Sequence, residues 1–225
     1  MQFFIFVILA CFFIFLFTLH YLSHDDFVLI RKGISMDSIF NSAFFVAIFA
    51  LIISRLVYVI SFPKPIFYNF LGFILFPYFP GLSLVGAVIG GIAVLILYSL
   101  YKKNPLGRVI DFFAISLLPA LSLGFAGSYF LAGRNLVSVF QLVFYIIFLL
   151  ICLKIFYPLS SKGKIKDGGI GLIFLIVFST ITFMINLFLT HFSFSFSIEN
   201  LLLLLLLIIS LAVFIFRQLV TTPNK

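Results

Sequence analysis

The chain has 225 residues, of which 64% are hydrophobic and only 9% are charged, and its mean hydropathy is +1.36. A soluble domain carries about a quarter charged residues, so this composition excludes a water-soluble globular protein. Apolar runs of about 17 to 25 residues recur along the chain, which is the length that a helix needs to cross a bilayer. Because these runs are continuously apolar and do not alternate in short segments, they favour spanning helices over a β-barrel.

The sequence therefore predicts an all-α integral membrane protein with about seven transmembrane helices in a single domain, residues 1–225. The first apolar run lacks a basic leading segment and a small-residue cleavage site, so we expect a retained helix rather than a signal peptide. Cys11 and Cys152 lie in apolar segments without CxxC spacing, and neither a metal site nor a cofactor is predicted. The spans are expected at about 3–21, 39–62, 82–101, 109–131, 136–156, 170–190 and 201–216.

The basic residues predict the orientation of the chain in the membrane. The loops after spans one, three and five and the C-terminal tail hold eleven Lys and Arg residues, whereas the alternate loops hold only Lys64 and Arg134. Positive charge accumulates on the cytoplasmic side, so we expect the N-terminus outside and the C-terminus in the cytoplasm. This bias explains most of the net charge of +8 without a nucleic-acid partner. The eleven residues are Arg31, Lys32, Lys102, Lys103, Arg108, Lys154, Lys162, Lys164, Lys166, Arg217 and Lys225.

Three glycines in span three and one proline in span four indicate how these spans pack and bend. Gly86, Gly90 and Gly91 lie on one helical face, where they allow close approach of either a neighbouring helix or a lipid headgroup. Pro119 removes a hydrogen bond inside span four, and such a bend commonly lies where a cavity opens.

Four segments together resemble the prolipoprotein diacylglyceryl transferase family. Residues 55–59, RLVYV, are similar to its R-L-x-Y-V/F segment, and residues 81–91, GLSLVGAVIGG, are similar to its G-L-S-x-H-G-G-x-x-G-G motif. Residues 111–124 resemble its D-x-x-x-P-A-x-x-L-G run. Residues 130–133, FLAG, look like the end of its G-R-x-G-N-F-x-N-G-E signature. The family also implies seven spans and an external N-terminus.

The resemblance implies transfer of diacylglyceryl from phosphatidylglycerol to a lipobox cysteine thiol during lipoprotein biogenesis in the bacterial plasma membrane. That reaction needs a group that helps to deprotonate a thiol with an ordinary pKa of about 8.5. It also needs a cationic group for the phosphate of the departing glycerol phosphate. The implied partners are membrane phosphatidylglycerol and the signal peptides of lipoprotein precursors.

This chain departs from the family at its polar positions. Val85 stands at the histidine position, and Ala87 replaces a glycine beside it. Thr182 and Asn186 stand where the family has arginine and glutamate, and the Gly-Arg pair of the later signature has no counterpart. Valine and threonine supply neither a base nor a fixed positive charge, so no catalytic residue is assigned.

Two arginines and an aspartate carry the charge closest to these motifs. Arg55 has three interpretations: it holds a phosphate, holds an internal carbonyl, or snorkels to the interface. Arg134, which follows the family's glycine where a glutamate is usual, either approaches the same headgroup or is a solvated loop charge. We expect Asp111 at the interface or near a helix N-terminus. The candidate lipid-headgroup or substrate-binding residues are Arg55, Tyr58, Ser83, Gly86, Gly90, Gly91, Gly133 and Arg134.

Three functions remain open at this point. The chain is a divergent diacylglyceryl transferase, a non-enzymatic member of the family that binds lipid or scaffolds a partner, or a small transporter. Thr182 and Asn186 are a thin basis for a transport site, which needs paired polar groups or broken helices at mid-membrane. His20, His24 and His191 are expected at the membrane interfaces and offer no replacement base.

Overall fold

A computed structural model describes residues 2–24, 26–68, 72–73, 81–131, 135–189 and 197–217. Seven of its helical segments are long and apolar enough to cross a membrane, which confirms the predicted all-α class and the number of spans. A 3₁₀ turn at Pro65–Tyr68 follows the second span, and a π-helical segment at Cys152–Phe156 joins two helices into the single span Leu136–Ser161. The α-helices are α1 (Gln2–Ser23), α2 (Phe27–Arg31), α3 (Met36–Ser61), α4 (Leu84–Lys102), α5 (Leu106–Leu131), α6 (Leu136–Ile151), α7 (Tyr157–Ser161), α8 (Gly169–Leu189) and α9 (Ile198–Ile215).

Helix α5 is the centre of the bundle. In its most apolar stretch 61% of the residues are buried, against 11–39% in the other spans. It packs against α1, α6 and α8, while α3 pairs with α4 and α8 pairs with α9. The outer helices keep large apolar side chains such as Phe17 and Phe188 exposed. A hydrophobic surface of this kind is suited to lipid rather than to water.

Two of the glycines on α4 form a close seam with α3. A Cβ built on Gly86 would lie 2.8 Å from Val57 Cβ, and one built on Gly90 would lie 2.7 Å from Ile53 Cβ. Real Cβ atoms do not approach so closely, so the glycines allow the two backbones to come together. The helix-packing interpretation is therefore observed for Gly86 and Gly90.

A buried polar network lies at one end of the bundle. Arg108 donates to Asp26 Oδ2 from Nε at 2.9 Å and from Nη2 at 2.6 Å, and its Nη1 donates to Ser160 Oγ at 3.0 Å. Lys166 Nζ donates to the backbone carbonyl of Arg217 at 2.8 Å. The Arg108 contacts join the start of α5 to the α1–α2 connection and to the end of α7, and the Lys166 contact joins the α7–α8 connection to the segment after α9.

Asp111 lies in the same region and is near a helix N-terminus, as expected, but the helix is α8 and not its own helix α5. It is 1% exposed and lies beyond the first turn of α5. Its Oδ2 accepts from the backbone N–H of Gly168 at 2.7 Å, and its Oδ1 accepts from that of Gly171 at 2.8 Å. A carboxylate stabilises the positive end of a helix and its unpaired N–H groups, so Asp111 caps α8 from a neighbouring helix.

The basic residues are distributed between the two ends of the bundle largely as predicted. Lys154 lies inside the fifth span, which runs to Ser161 and is longer than expected, so it is not a loop residue. The other described Lys and Arg residues among the eleven lie at the end of the bundle that holds Asp26 and Arg108, whereas Lys64 lies at the opposite end. We call the first of these the basic end. The side of the membrane that it faces stays a prediction from the charge bias.

Candidate lipid site

Arg55 binds backbone groups at the end of the bundle opposite the basic end. Its side chain is buried, with 2% of the residue exposed, although it is close to the end of α3. The guanidinium donates to three backbone carbonyls: Nη1 to Gly81 at 2.7 Å, Nη2 to Gly72 at 2.9 Å, and Nε to Phe73 at 3.1 Å. Arg55 therefore holds internal carbonyls, and the alternative that it snorkels to the interface is wrong. A planar fork of N–H donors suits this task because it reaches several acceptors at once.

Two aromatic rings complete the surroundings of Arg55. Its Cζ lies 4.7 Å from the ring centre of Phe67 and 5.9 Å from that of Tyr58. A Cβ built on Gly81 would lie 2.0 Å from Tyr58 Cε1, and the φ angle of Gly81 is +153°. Both facts require glycine at position 81. The ring, the guanidinium and the glycine together hold the chain where it enters α4.

Ser83 joins the start of α4 to α3 through hydrogen bonds with Ser54. Its backbone N–H donates to the carbonyl of Ser54 at 3.2 Å, and Ser54 Oγ donates to the carbonyl of Ser83 at 2.8 Å. The side chain of Ser83 also caps α4 by accepting from the N–H of Gly86 at 3.2 Å. Ser83 is thus a buried capping residue. The partners Ser54 and Phe67 were missed in the sequence, where a serine and a phenylalanine among apolar residues give no signal.

An apolar cavity of about 230 Å³ lies between α1, α3, α4, α5 and α8. Among the described residues, the Cys11 thiol is the single polar side-chain group in the lining. Leu117, Ala120 and Leu121 also line the cavity, which therefore lies beside Pro119, where a cavity was predicted. Gly91 lines the cavity, in contrast to Gly86 and Gly90. The five helices leave this space because small residues such as Ala87 face it.

The size and chemistry of the cavity favour an apolar chain. Its lining on α4 runs from Leu84 to Leu95, which corresponds to about 16 Å along the helix axis. An apolar cavity of about 150 Å³ stays free of water and binds benzene. A cavity that is larger and equally apolar is suited to part of a lipid acyl chain.

The position that resembles the family's histidine lies outside this lining. Val85 is 3% exposed and belongs to the apolar core, whereas its neighbours Leu84 and Ala87 face the cavity. His20 and His24 are near the basic end, with their rings 5.4 Å apart. Within the described ranges, no three His, Cys, Asp or Glu side chains are grouped as metal ligands.

Neutral hydrogen bonds occupy the positions where the family has arginine and glutamate. Asn186 Nδ2 donates to Asn200 Oδ1 at 2.9 Å and joins α8 to α9. Thr182 forms a side-chain hydrogen bond with Tyr145, which joins α8 to α6. Asn200 and Tyr145 were not identified in the sequence, because the partners are separated along the chain. These pairs satisfy polar groups between helices without a charge.

The candidate residues fall into three groups in space. Arg55, Tyr58 and Ser83 meet at the end opposite the basic end, Gly86 and Gly90 form the α3–α4 seam, and Gly91 faces the cavity. Gly133, Arg134 and His191 lie outside the described residues.

Comparison with known proteins identifies the family of the chain. No curated protein matches the sequence. The model of one family, prolipoprotein diacylglyceryl transferase, matches residues 1–216, which is nearly the whole chain. The chain therefore belongs to the prolipoprotein diacylglyceryl transferase family.

Proposed function

We propose that this membrane protein binds a phospholipid with part of an acyl chain in the central cavity. Phosphatidylglycerol is the lipid that the family implies, and lipoprotein biogenesis in the bacterial plasma membrane is the setting. The observation that carries the proposal is the apolar cavity of about 230 Å³ between five helices. Its walls offer dispersion contacts to methylene groups and almost no hydrogen-bonding partner for water.

The headgroup then lies at the Arg55 end. The cavity reaches Leu84, which directly follows Ser83, so a chain in the cavity leads towards the segment held by Arg55. In this proposal Tyr58 contacts the headgroup, and Gly133 and Arg134, which lie outside the described residues, stay candidate headgroup ligands from the sequence. Arg55 and Ser83 act as positioning residues, because their polar groups hold backbone. Gly86 and Gly90 keep α3 against α4, and Gly91 contacts the lipid chain.

A second candidate function is the transfer reaction itself, which the family match over residues 1–216 favours. A lipobox thiolate would form a sulfur–carbon bond to the glyceryl group while the carbon–oxygen bond to phosphate breaks, and glycerol phosphate would leave. The thiol proton must pass to a base. The described part of the cavity lining contributes no such group beyond the thiol of Cys11.

Lipid binding is tested by filling the cavity. Ala87→Phe places a ring where the acyl chain would lie, whereas Ala212→Phe adds the same ring to an exposed position on α9. Excluding about three methylene groups weakens phosphatidylglycerol binding by about 2 kcal/mol, or roughly thirtyfold. We expect this loss for Ala87→Phe alone, measured by titrating purified protein with spin-labelled phosphatidylglycerol. Equal binding by both variants would contradict the cavity as the lipid site.

Transfer is tested with the same protein, phosphatidylglycerol and a lipobox peptide. A mass gain on the peptide cysteine that Ala87→Phe abolishes establishes the transferase. Lipid binding without a mass gain, beside an active member of the family as control, leaves the binding function alone. Failure of both measurements would refute both candidates.

A further inference from the structure

A cleft at the basic end has a different chemistry from the cavity. It has a volume of about 370 Å³ and lies between the start of α3 and the end of α4. Asn104 Nδ2 lies 3.5 Å from Ser38 Oγ, which places the two helix ends side by side. The lining consists of Lys32, Gly33, Ile34, Ser35, Ser38, Lys102, Lys103 and Asn104.

Three lysines line this cleft, and none of the described lining residues is acidic. Lys32 comes from the α2–α3 connection, and Lys102 and Lys103 come from the end of α4. Asp37 is in the first turn of α3 but is not part of the lining. The ion pairs that the described residues show at this end involve Arg108 with Asp26 and Asp167, and none involves these lysines. The cleft is therefore a concentration of positive charge.

An exposed tyrosine indicates the depth of the cleft in the membrane. Tyr101 is 81% exposed, and Lys102 Nζ lies 5.6 Å from the centre of its ring. Tyrosines at the ends of spanning helices lie at the level of the lipid headgroups. The three lysines are thus placed where the phosphates of one leaflet are found, and the first turn of α3 adds the positive end of a helix of 26 residues.

We propose that this cleft binds the phosphate-bearing headgroup of an anionic phospholipid, at the opposite end of the bundle from Arg55. Basic pockets between spanning helices on the cytoplasmic side bind anionic headgroups. Lys32 approaches the phosphate from the α2–α3 connection and Lys103 from the end of α4, so the bound lipid also links these two segments. This site is separate from the cavity and does not depend on the proposed function.

The test uses purified protein in neutral detergent, titrated with phosphatidic acid and followed by native mass spectrometry. Removing one lysine near an anionic surface weakens binding about fivefold, so Lys32→Gln/Lys103→Gln is expected to lose roughly 25-fold. Lys162→Gln/Lys164→Gln is the matched control. Both of its lysines are exposed at the basic end, and the change in net charge is the same, but they lie outside the cleft. We expect this control to bind like the wild type.

Several outcomes would overturn the proposal. Equal weakening in both double variants would show only general attraction to a positive surface, and unchanged binding in Lys32→Gln/Lys103→Gln would exclude the cleft. Phosphatidylcholine that binds as tightly as phosphatidic acid would exclude recognition of charge. Inorganic phosphate that binds as tightly as the lipid would identify a soluble phosphate as the ligand. Adding Lys32→Gln/Lys103→Gln to the cavity variant Ala87→Phe is expected to give the same further loss of roughly 25-fold as in the wild type, which distinguishes the cleft from the cavity.

Discussion

Two of the buried charged residues, Arg55 and Asp111, bind backbone groups. The guanidinium of Arg55 donates to carbonyls at positions 72, 73 and 81, and the carboxylate of Asp111 accepts from two N–H groups at the start of α8. In both cases several charge-assisted hydrogen bonds offset the free-energy cost of burying a charge inside the bundle. Each of these bonds is stronger than a neutral one. Neither residue needs a ligand to be satisfied. Their role is to fix the segment that enters α4 and the start of α8.

The close approach of Gly81 to the ring of Tyr58 can be tested by substitution. Gly81→Ala would place a Cβ 2.0 Å from Tyr58 Cε1, at a φ of +153°. We expect it to lower the free energy of unfolding by about 3 kcal/mol or more, because the ring must leave Arg55. Gly33→Ala is the control, since its φ is +64° and no atom lies within 4 Å of its Cβ. It should cost only about 1–2 kcal/mol.

The measurement for this pair is the thermal unfolding of each purified variant in the same detergent. A loss for Gly81→Ala that is no greater than that for Gly33→Ala would show that the contact with Tyr58 does not stabilise the entry to α4. Adding Tyr58→Ala to Gly81→Ala should recover part of the stability, because the clash is then absent.

At the scale of elements, the spans are the part of the fold that the sequence predicts best. Continuous apolar runs place the seven helices within a few residues, since a helix of fixed rise must cover the bilayer. The seam between α3 and α4 was one of two open interpretations of Gly86 and Gly90, because spacing shows a small-residue face but not what meets it. The sequence analysis gave an internal carbonyl as one possible partner of Arg55 and a helix N-terminus as one possible place for Asp111, but the particular partner groups could not be predicted. They are backbone groups of other segments, brought near only by the tertiary fold.

The α3–α4 seam predicts opposite effects for two substitutions of the same kind. Gly90→Ala would bring a Cβ to 2.7 Å from Ile53 Cβ, which belongs to the neighbouring helix and cannot rotate away. We expect a net loss of about 1–2 kcal/mol of unfolding free energy, because the strain exceeds the gain in helix propensity. Gly124→Ala would meet only Cys11 Sγ at 3.6 Å, an ordinary contact. It should gain about 0.5–1 kcal/mol.

Equilibrium unfolding of both variants, by far-ultraviolet circular dichroism in mixed micelles, checks the pair. Stabilisation by Gly90→Ala equal to that by Gly124→Ala would mean that the seam is loose enough to admit a methyl group, and that α3 and α4 are held together elsewhere.

At the scale of the whole molecule, the bundle has two chemically distinct ends and an apolar middle. The basic end combines the Asp26–Arg108 pair with the lysine cleft, and the other end combines Arg55 with backbone carbonyls. Between them the cavity has almost no polar group. Charge concentrated at one end follows from insertion into the membrane and is independent of what the cavity binds. The orientation of the chain can therefore be tested separately from its function.

Single cysteines at the two ends test the predicted orientation. Lys64 and Lys162 are both exposed and lie at opposite ends of the bundle. Each is replaced by cysteine separately, as Lys64→Cys or Lys162→Cys, in a protein that also carries Cys11→Ala and Cys152→Ala. We expect a membrane-impermeant maleimide to label Lys64→Cys in intact cells and Lys162→Cys only after permeabilisation, because positive loops stay in the cytoplasm. The reverse pattern would place the lysine cleft in the outer leaflet. Labelling of both positions in intact cells would mean that the two ends are not on opposite sides of the membrane, which contradicts seven spans.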